Sequence, residues 1–154
     1  MKILFNLTVF FFFLFTNISN ADLIKPSSNL KPFEVLMIQL NSLRNNNDPY
    51  KDAGIEQTWE FAHPNNKAST GPLEKFKQMI YSDSYKILIS HENNKTIILK
   101  KTPNKLIYKV YVLSDDKKKY YYIWQVEKVL LDGILKNCWM TTRVSNPEFL
   151  GEVI

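Results

Sequence analysis

General acid–base chemistry needs a side chain that titrates near neutrality, so the two histidines are the first residues to weigh. His63 follows Trp59 by four residues, Glu60 by three and Glu56 by seven. On a helix this spacing sets Trp59 and His63 on neighbouring turns and leaves Glu60 close enough to orient an imidazole. His63 and Glu60 are therefore the one acid/base pair the sequence offers, and they would serve a cavity enzyme of isomerase or hydrolase type. The simpler account is structural, because a histidine near a helix C-terminus is favoured by the dipole and ties down the loop at Pro64. His91, beside Glu92, Asn93 and Asn94, reads as a solvated turn residue.

Other reactive groups are poorly placed. Cys138 is the single cysteine and has no internal partner for a disulfide. Glu56 and Glu60 stand at i, i+4 as residues of a solvated helix face commonly do. Neither histidine has a second ligand at a metal-binding spacing, and Gly54, Gly71, Gly133 and Gly151 form no phosphate-cradling loop. No cofactor is expected, whether ATP, NAD or zinc. Lys117, Lys118 and Lys119, with Lys100 and Lys101 on another strand, read as solvated turn and edge charges that keep sheet edges from pairing. Tyr120, Tyr121 and Tyr122 beside them could stack bases, but an exported chain is not expected to meet nucleic acid. Anionic lipid or cell-wall polymer suits that patch better.

The elements that must carry these residues follow from periodicity. Residues 22–31, with Pro26, Ser27, Ser28 and Asn29, read as a flexible lead-in. Pro32 opens a helix in which Phe33, Leu36, Met37, Leu40 and Leu43 fall at the spacing of one face, and Asn45 to Asn47 end it. Ile55, Trp59 and Ala62 mark a second helix, with Asp52 as N-cap and His63-Pro64 as its end. Asn65 to Thr70 reads as a polar loop. Gly71 as N-cap and Pro72 at the first position open a third helix, with Leu73, Phe76, Met79 and Ile80 inward.

From Tyr85 the period becomes two. Strands are expected over residues 85–90, 96–100, 105–113, 120–131 and 134–144, joined by short polar connections into an antiparallel meander. The class is α+β, with N-terminal helices packed on a curved antiparallel sheet. Residues 32–144 form a single domain, and 145–154 a C-terminal tail whose packing the pattern leaves open.

Asp132-Gly133 between apolar runs favours a two-residue turn, which sets Trp124 opposite Thr141, Val126 opposite Trp139, Leu130 opposite Leu135 and Tyr122 opposite Arg143. Those eight share one face, expected to lie under the helices. Glu127 opposite Cys138 marks the wetter face, where the negative charge disfavours a thiolate. Tyr121, Ile123 and Val129 are that face's exposed apolar residues and would serve a homodimer through the sheet. Inside, Trp124, Trp139 and Tyr122 meet Trp59 and Phe76 from the helices. These rings either pack solidly or line a hollow that takes a small apolar or aromatic ligand, oriented by His63, Tyr122 and Arg143.

Two stretches resemble a known group. Gly54-Ile55-Glu56-Gln57-Thr58-Trp59-Glu60-Phe61-Ala62-His63-Pro64-Asn65-Asn66-Lys67, followed by Thr70-Gly71-Pro72-Leu73-Glu74-Lys75-Phe76, is similar to motifs of a bacterial and plastid domain family that has no assigned activity. The likeness spans roughly residues 33–143. It implies a nuclear-transport-factor-2-like, cystatin-like α+β cone, in which helices close the mouth of a bent sheet. Acid–base enzymes of that wider superfamily carry an Asp or His pair on the cavity wall, and no such pair maps onto this chain.

Length and leader bound the rest. Of 154 residues, 20 are Lys or Arg and 15 Asp or Glu, a net charge of +5. Lys2, the apolar run from Ile3 to Phe15, and Ser19-Asn20-Ala21 read as a signal peptide cleaved after Ala21. The run falls short of the roughly 18 apolar residues of a bilayer span, so no stable membrane insertion is expected once the leader is removed, and the compartment is periplasmic or secreted. What remains is one domain, too small for a two-domain cofactor enzyme and large enough to close a core without disulfides. The reading is an exported, more often non-enzymatic domain that binds a small apolar or aromatic ligand, or a protein partner.

Overall fold

The computed structural model describes residues 22–153, and the expected leader, residues 1–21, lies outside them. Four helices, α1 (Pro32–Arg44), α2 (Ala53–Glu60), α3 (Pro64–Thr70) and α4 (Leu73–Ile80), precede a five-stranded antiparallel sheet of β1 (Asn93–Lys101), β2 (Lys105–Leu113), β3 (Lys118–Lys128), β4 (Trp139–Val144) and β5 (Glu148–Glu152). The class is α+β, with the helices laid on one face of the curved sheet.

Pro32 opens α1 where its missing N–H costs nothing, and Glu34 accepts the Lys31 backbone N–H at 2.6 Å. Val35, Leu36, Leu40 and Leu43 are fully buried on its inner side. The α1/α2 approach is close because Gly54 has no side chain. Its N–H donates to Asn46 O at 3.0 Å, and Asn46 Oδ1 accepts from Ile55 N at 3.0 Å. Asp52 precedes α2 in a left-handed conformation and makes no side-chain cap. The lead-in, expected to be flexible, is docked on α2: Gln57 accepts from Ile24 N at 2.7 Å and donates to Ile24 O at 2.8 Å.

Two local expectations are corrected. Asn65 to Thr70 is helical, because Pro64 suits a first turn, His63 Nδ1 caps Asn65 N at 3.1 Å, and Gly71 at φ 82° ends it. No residue of α3 is buried, which is why no apolar period announced it. Gly71 thus terminates α3, and Pro72 is the N-cap of α4. Residues 85–90 form no strand. Lys86–Leu88 is a 3-10 turn that buries Leu88, and Ser90 N–H donates to Leu43 O at the end of α1 rather than to a strand.

In the sheet, β2 alternates without fault: Leu106, Tyr108, Val110 and Val112 point into the core, and their odd-numbered neighbours point out. Antiparallel pairing sets Tyr108 opposite Trp124 and Tyr111 opposite Tyr121. The last hairpin differs from expectation. Val126 faces Thr141 and Lys128 faces Trp139, and Val129 pairs with Cys138 through a 2.9 Å bond. Leu130 to Asn137 is therefore one long loop, closed by Asn137 at φ 65°. It lets Leu135 cover Val129, Cys138 and Met140, a small second core on the outer face. Leu130 is left exposed instead of facing the helices, and Leu131 and Ile134 are exposed beside it.

The slip moves the register by two residues, so side-chain parity is kept and Trp124 and Trp139 both reach the main core. A bulge between Gln125 and Val126 then sets Arg143 opposite Gln125, not Tyr122. The tail packs as β5, which pairs with residues 118–121 of β3 beyond the end of β4. Ser145 bridges the gap, its N–H donating to Ile123 O at 2.9 Å and its Oγ accepting from Ile123 N at 2.8 Å.

Candidate functional site

Between the helices and the inner face of β3 and β4 lies a cleft of about 330 Å³. That is near the lower end of the ~300–1,000 Å³ typical of small-molecule sites. Phe76, Met79 and Ile80 of α4 form one wall, Leu43 of α1 and Leu88 another, and Trp124 with Val144 the sheet side. Asn66, Ser69 and Thr70 of α3 edge it with polar groups. The helix that periodicity missed is thus a wall of the site.

The deepest polar atoms are already paired. Trp124 Nε1 donates to Thr141 Oγ1 at 2.9 Å, and Thr141 Oγ1 donates to Gln39 Oε1 at 2.5 Å. Gln39 Nε2 donates to Thr58 O at 3.0 Å, and Thr58 Oγ1 to Gly54 O at 2.8 Å. Thr141 also joins the layers through its backbone: His63 N–H donates to its carbonyl, and its own N–H donates to Phe61 O, both at 2.8 Å. At the rim, Tyr85 OH donates to Val144 O at 3.2 Å. Burial holds the Tyr85 phenol above its ordinary range, with Arg143 opposing, so it is neutral at pH 7.

Of the seven residues expected to form a pocket, Phe76, Trp124 and Arg143 line this cleft, Arg143 as an exposed rim residue. Trp59 packs beside it, 5.0 Å from the Phe76 ring, under the Lys67 ammonium at 5.1 Å. Tyr122 is fully buried, donates to Ser84 O at 2.8 Å and belongs to the core. Trp139 is core at the far end of β4, with Lys128 over its ring at 5.2 Å. His63 is buried as the cap of α3, apart from the cleft lining.

The His63–Glu60 pair is not assembled. Glu60 bonds Lys25 at 3.0 Å, and His63 Nδ1 is spent as an acceptor for Asn65 N, leaving the ring proton on Nε2. Burial lowers the His63 pKa, and the charge it feels in opposition is that of Glu127. His91 is not solvated. It is 1% exposed, with Nδ1 at 2.8 Å from Leu88 O and Nε2 at 3.0 Å from Asn94 Nδ2. Burial lowers its pKa as well.

Cys138 and Val129, placed by sequence on the wet face, are buried in the second core, and burial raises the thiol pKa. Among the described residues no group of three or more His, Cys, Asp or Glu could hold a metal ion. No described helix is long and apolar enough to cross a membrane. What fold and site define is an α+β helix-on-sheet domain with an internal cleft. Comparison with known protein families, curated proteins and solved structures finds no match.

Proposed function

We propose that this is an exported binding domain that holds one small, uncharged, largely apolar molecule in the cleft between α4 and the β3–β4 hairpin, without transforming it. The observation that carries this reading is the make-up of the lining. Aliphatic and aromatic side chains form the walls, with hydroxyl and amide groups at the α3 edge, and among the described residues the titratable ones in the lining are Tyr85 and Arg143. Such a site can desolvate an apolar body and orient it by one or two hydrogen bonds, but it presents no group poised to move a proton near neutrality. The apolar run at residues 3–15 with its small-residue end supports export, and the helix-on-sheet arrangement agrees with the cone resemblance.

The test uses protein purified from its native host and sprayed under native conditions. A bound species of a few hundred daltons, whose readdition raises the melting temperature, is expected. Met79→Trp, which fills the cleft from α4, should abolish both signals. A bare mass, together with no melting shift across a panel of apolar and aromatic compounds, removes the proposal.

A further inference from the structure

The opposite face of the sheet carries a second concavity, independent of the cleft. It is a trough of about 590 Å³ running along β2. Tyr111 and Leu113 form its floor, Ile97 and Leu150 flank it, and among the described residues the charged ones lining it are Lys95 and Lys119. Both lysines are exposed, and among the described residues neither has a carboxylate within ion-pair distance. Register places Lys95 beside Tyr111 and Lys119 beside Leu113, on opposite sides of the floor strand. Next along β2, Lys109 lies over the Tyr121 ring at 3.8 Å.

We infer that this trough binds a single-chain anionic amphiphile, its aliphatic chain along Tyr111 and Leu113 and its carboxylate or phosphate head between Lys95 and Lys119. Charge complementarity selects the head, since two cations of one sign, with no carboxylate partner among the described residues, flank an apolar floor. The same cations oppose a second copy: a twofold contact across this face would set Lys95 and Lys119 against lysines of the partner. A peptide fits less well. The β2 backbone is already paired with β1 and β3, so a peptide laid on the floor would meet side chains alone and leave its own N–H and C=O groups without partners. A recess walled on both sides admits one chain rather than a flat bilayer.

The experiment titrates the full mature chain with dodecanoate, dodecyl maltoside and dodecyltrimethylammonium, each below its micelle concentration, by calorimetry. Dodecanoate should bind one to one and at least tenfold more tightly than the maltoside, with no binding of the cationic homologue. Lys95→Glu combined with Lys119→Glu should cost at least tenfold in dodecanoate affinity. Lys95→Gln and Lys119→Gln singly should each cost a few-fold with unchanged melting, and Met79→Trp in the inner cleft should leave dodecanoate binding intact. Equal affinity for the three head groups, indifference to the lysine changes, loss of binding in Met79→Trp, or attachment only to phosphatidylglycerol vesicles or to an acidic peptide each overturns the assignment.

Discussion

Thr141→Val replaces a hydroxyl by a methyl of nearly the same shape at the point where helices and sheet are joined. Thr141, Trp124 and Gln39 are each no more than 2% exposed. The hydroxyl accepts from Trp124 Nε1 at 2.9 Å and donates to Gln39 Oε1 at 2.5 Å, so its removal leaves a donor and an acceptor without partners. Each costs about 1–3 kcal/mol when buried, and the added methyl returns about 0.8 kcal/mol. The net loss expected is about 1–5 kcal/mol. With an m-value of about 2 kcal/mol/M, the urea midpoint should fall by roughly 0.5–2.5 M at unchanged slope.

Tryptophan fluorescence follows the transition, since Trp59 and Trp139 remain as probes when Trp124 is replaced. Trp124→Phe in the same background closes a double-mutant cycle, and the two changes should couple by about 1 kcal/mol or more because they remove the same bond. A midpoint shift below about 0.3 M, or additivity of the two substitutions, would mean that water in the cleft satisfies these groups and that the Trp124–Thr141–Gln39 chain does not join the layers.

Gly54→Ala should destabilise the fold by about 3 kcal/mol or more despite the ~1 kcal/mol gain in helix propensity. A Cβ there would stand 1.9 Å from Ser42 O and 2.8 Å from Asn46 Cα, so α1 and α2 must part and stretch both Asn46 hydrogen bonds. Wild-type stability in a thermal melt of this variant would refute the close approach. For pH, burial lowers the pKa of His63 and of His91, and Arg44 adds to the effect at His91. Both are therefore neutral when folded, and the unfolded chain takes up their protons below about pH 6.5. Their contribution to stability is complete above that value and is lost as pH falls through the folded pKa values, at up to about 1.4 kcal/mol per unit for each histidine. Denaturant unfolding between pH 8 and 5.5 should display this slope. His91→Phe should be less stable throughout, having stranded Leu88 O and Asn94 Nδ2, but flatter; an equally steep profile would contradict the assignment.

Local signals were enough wherever one residue's chemistry dictates the backbone or one face repeats. Pro32 and the spacing of Leu36, Leu40 and Leu43 mark α1, although Phe33 of the same expected face is exposed and Val35 is buried in its place; the alternation of Lys105–Leu113 marks β2 to the residue, and aliphatic helices followed by alternating strands define the α+β class. The inward turn of Trp124 and Trp139 was legible too, for a parity reason: a slip of two residues leaves these two side chains on their own face. Tertiary structure decided the rest. α3 is held by its cap, its proline and its place against Thr141, with no buried stripe to give it a period. The 130–137 loop is set by Leu135 closing the Val129–Cys138–Met140 cluster, a gain invisible to a rule about Asp-Gly turns. His91 is buried because residues 88–94 fold back and supply both of its ring partners, and the tail becomes β5 because β3 extends beyond β4 and offers a free edge. The α3 contact with Thr141 and the β5 pairing depend on partners distant in sequence, while His91 and the 130–137 loop depend on the chain turning back on itself, and a repeating apolar period encodes neither.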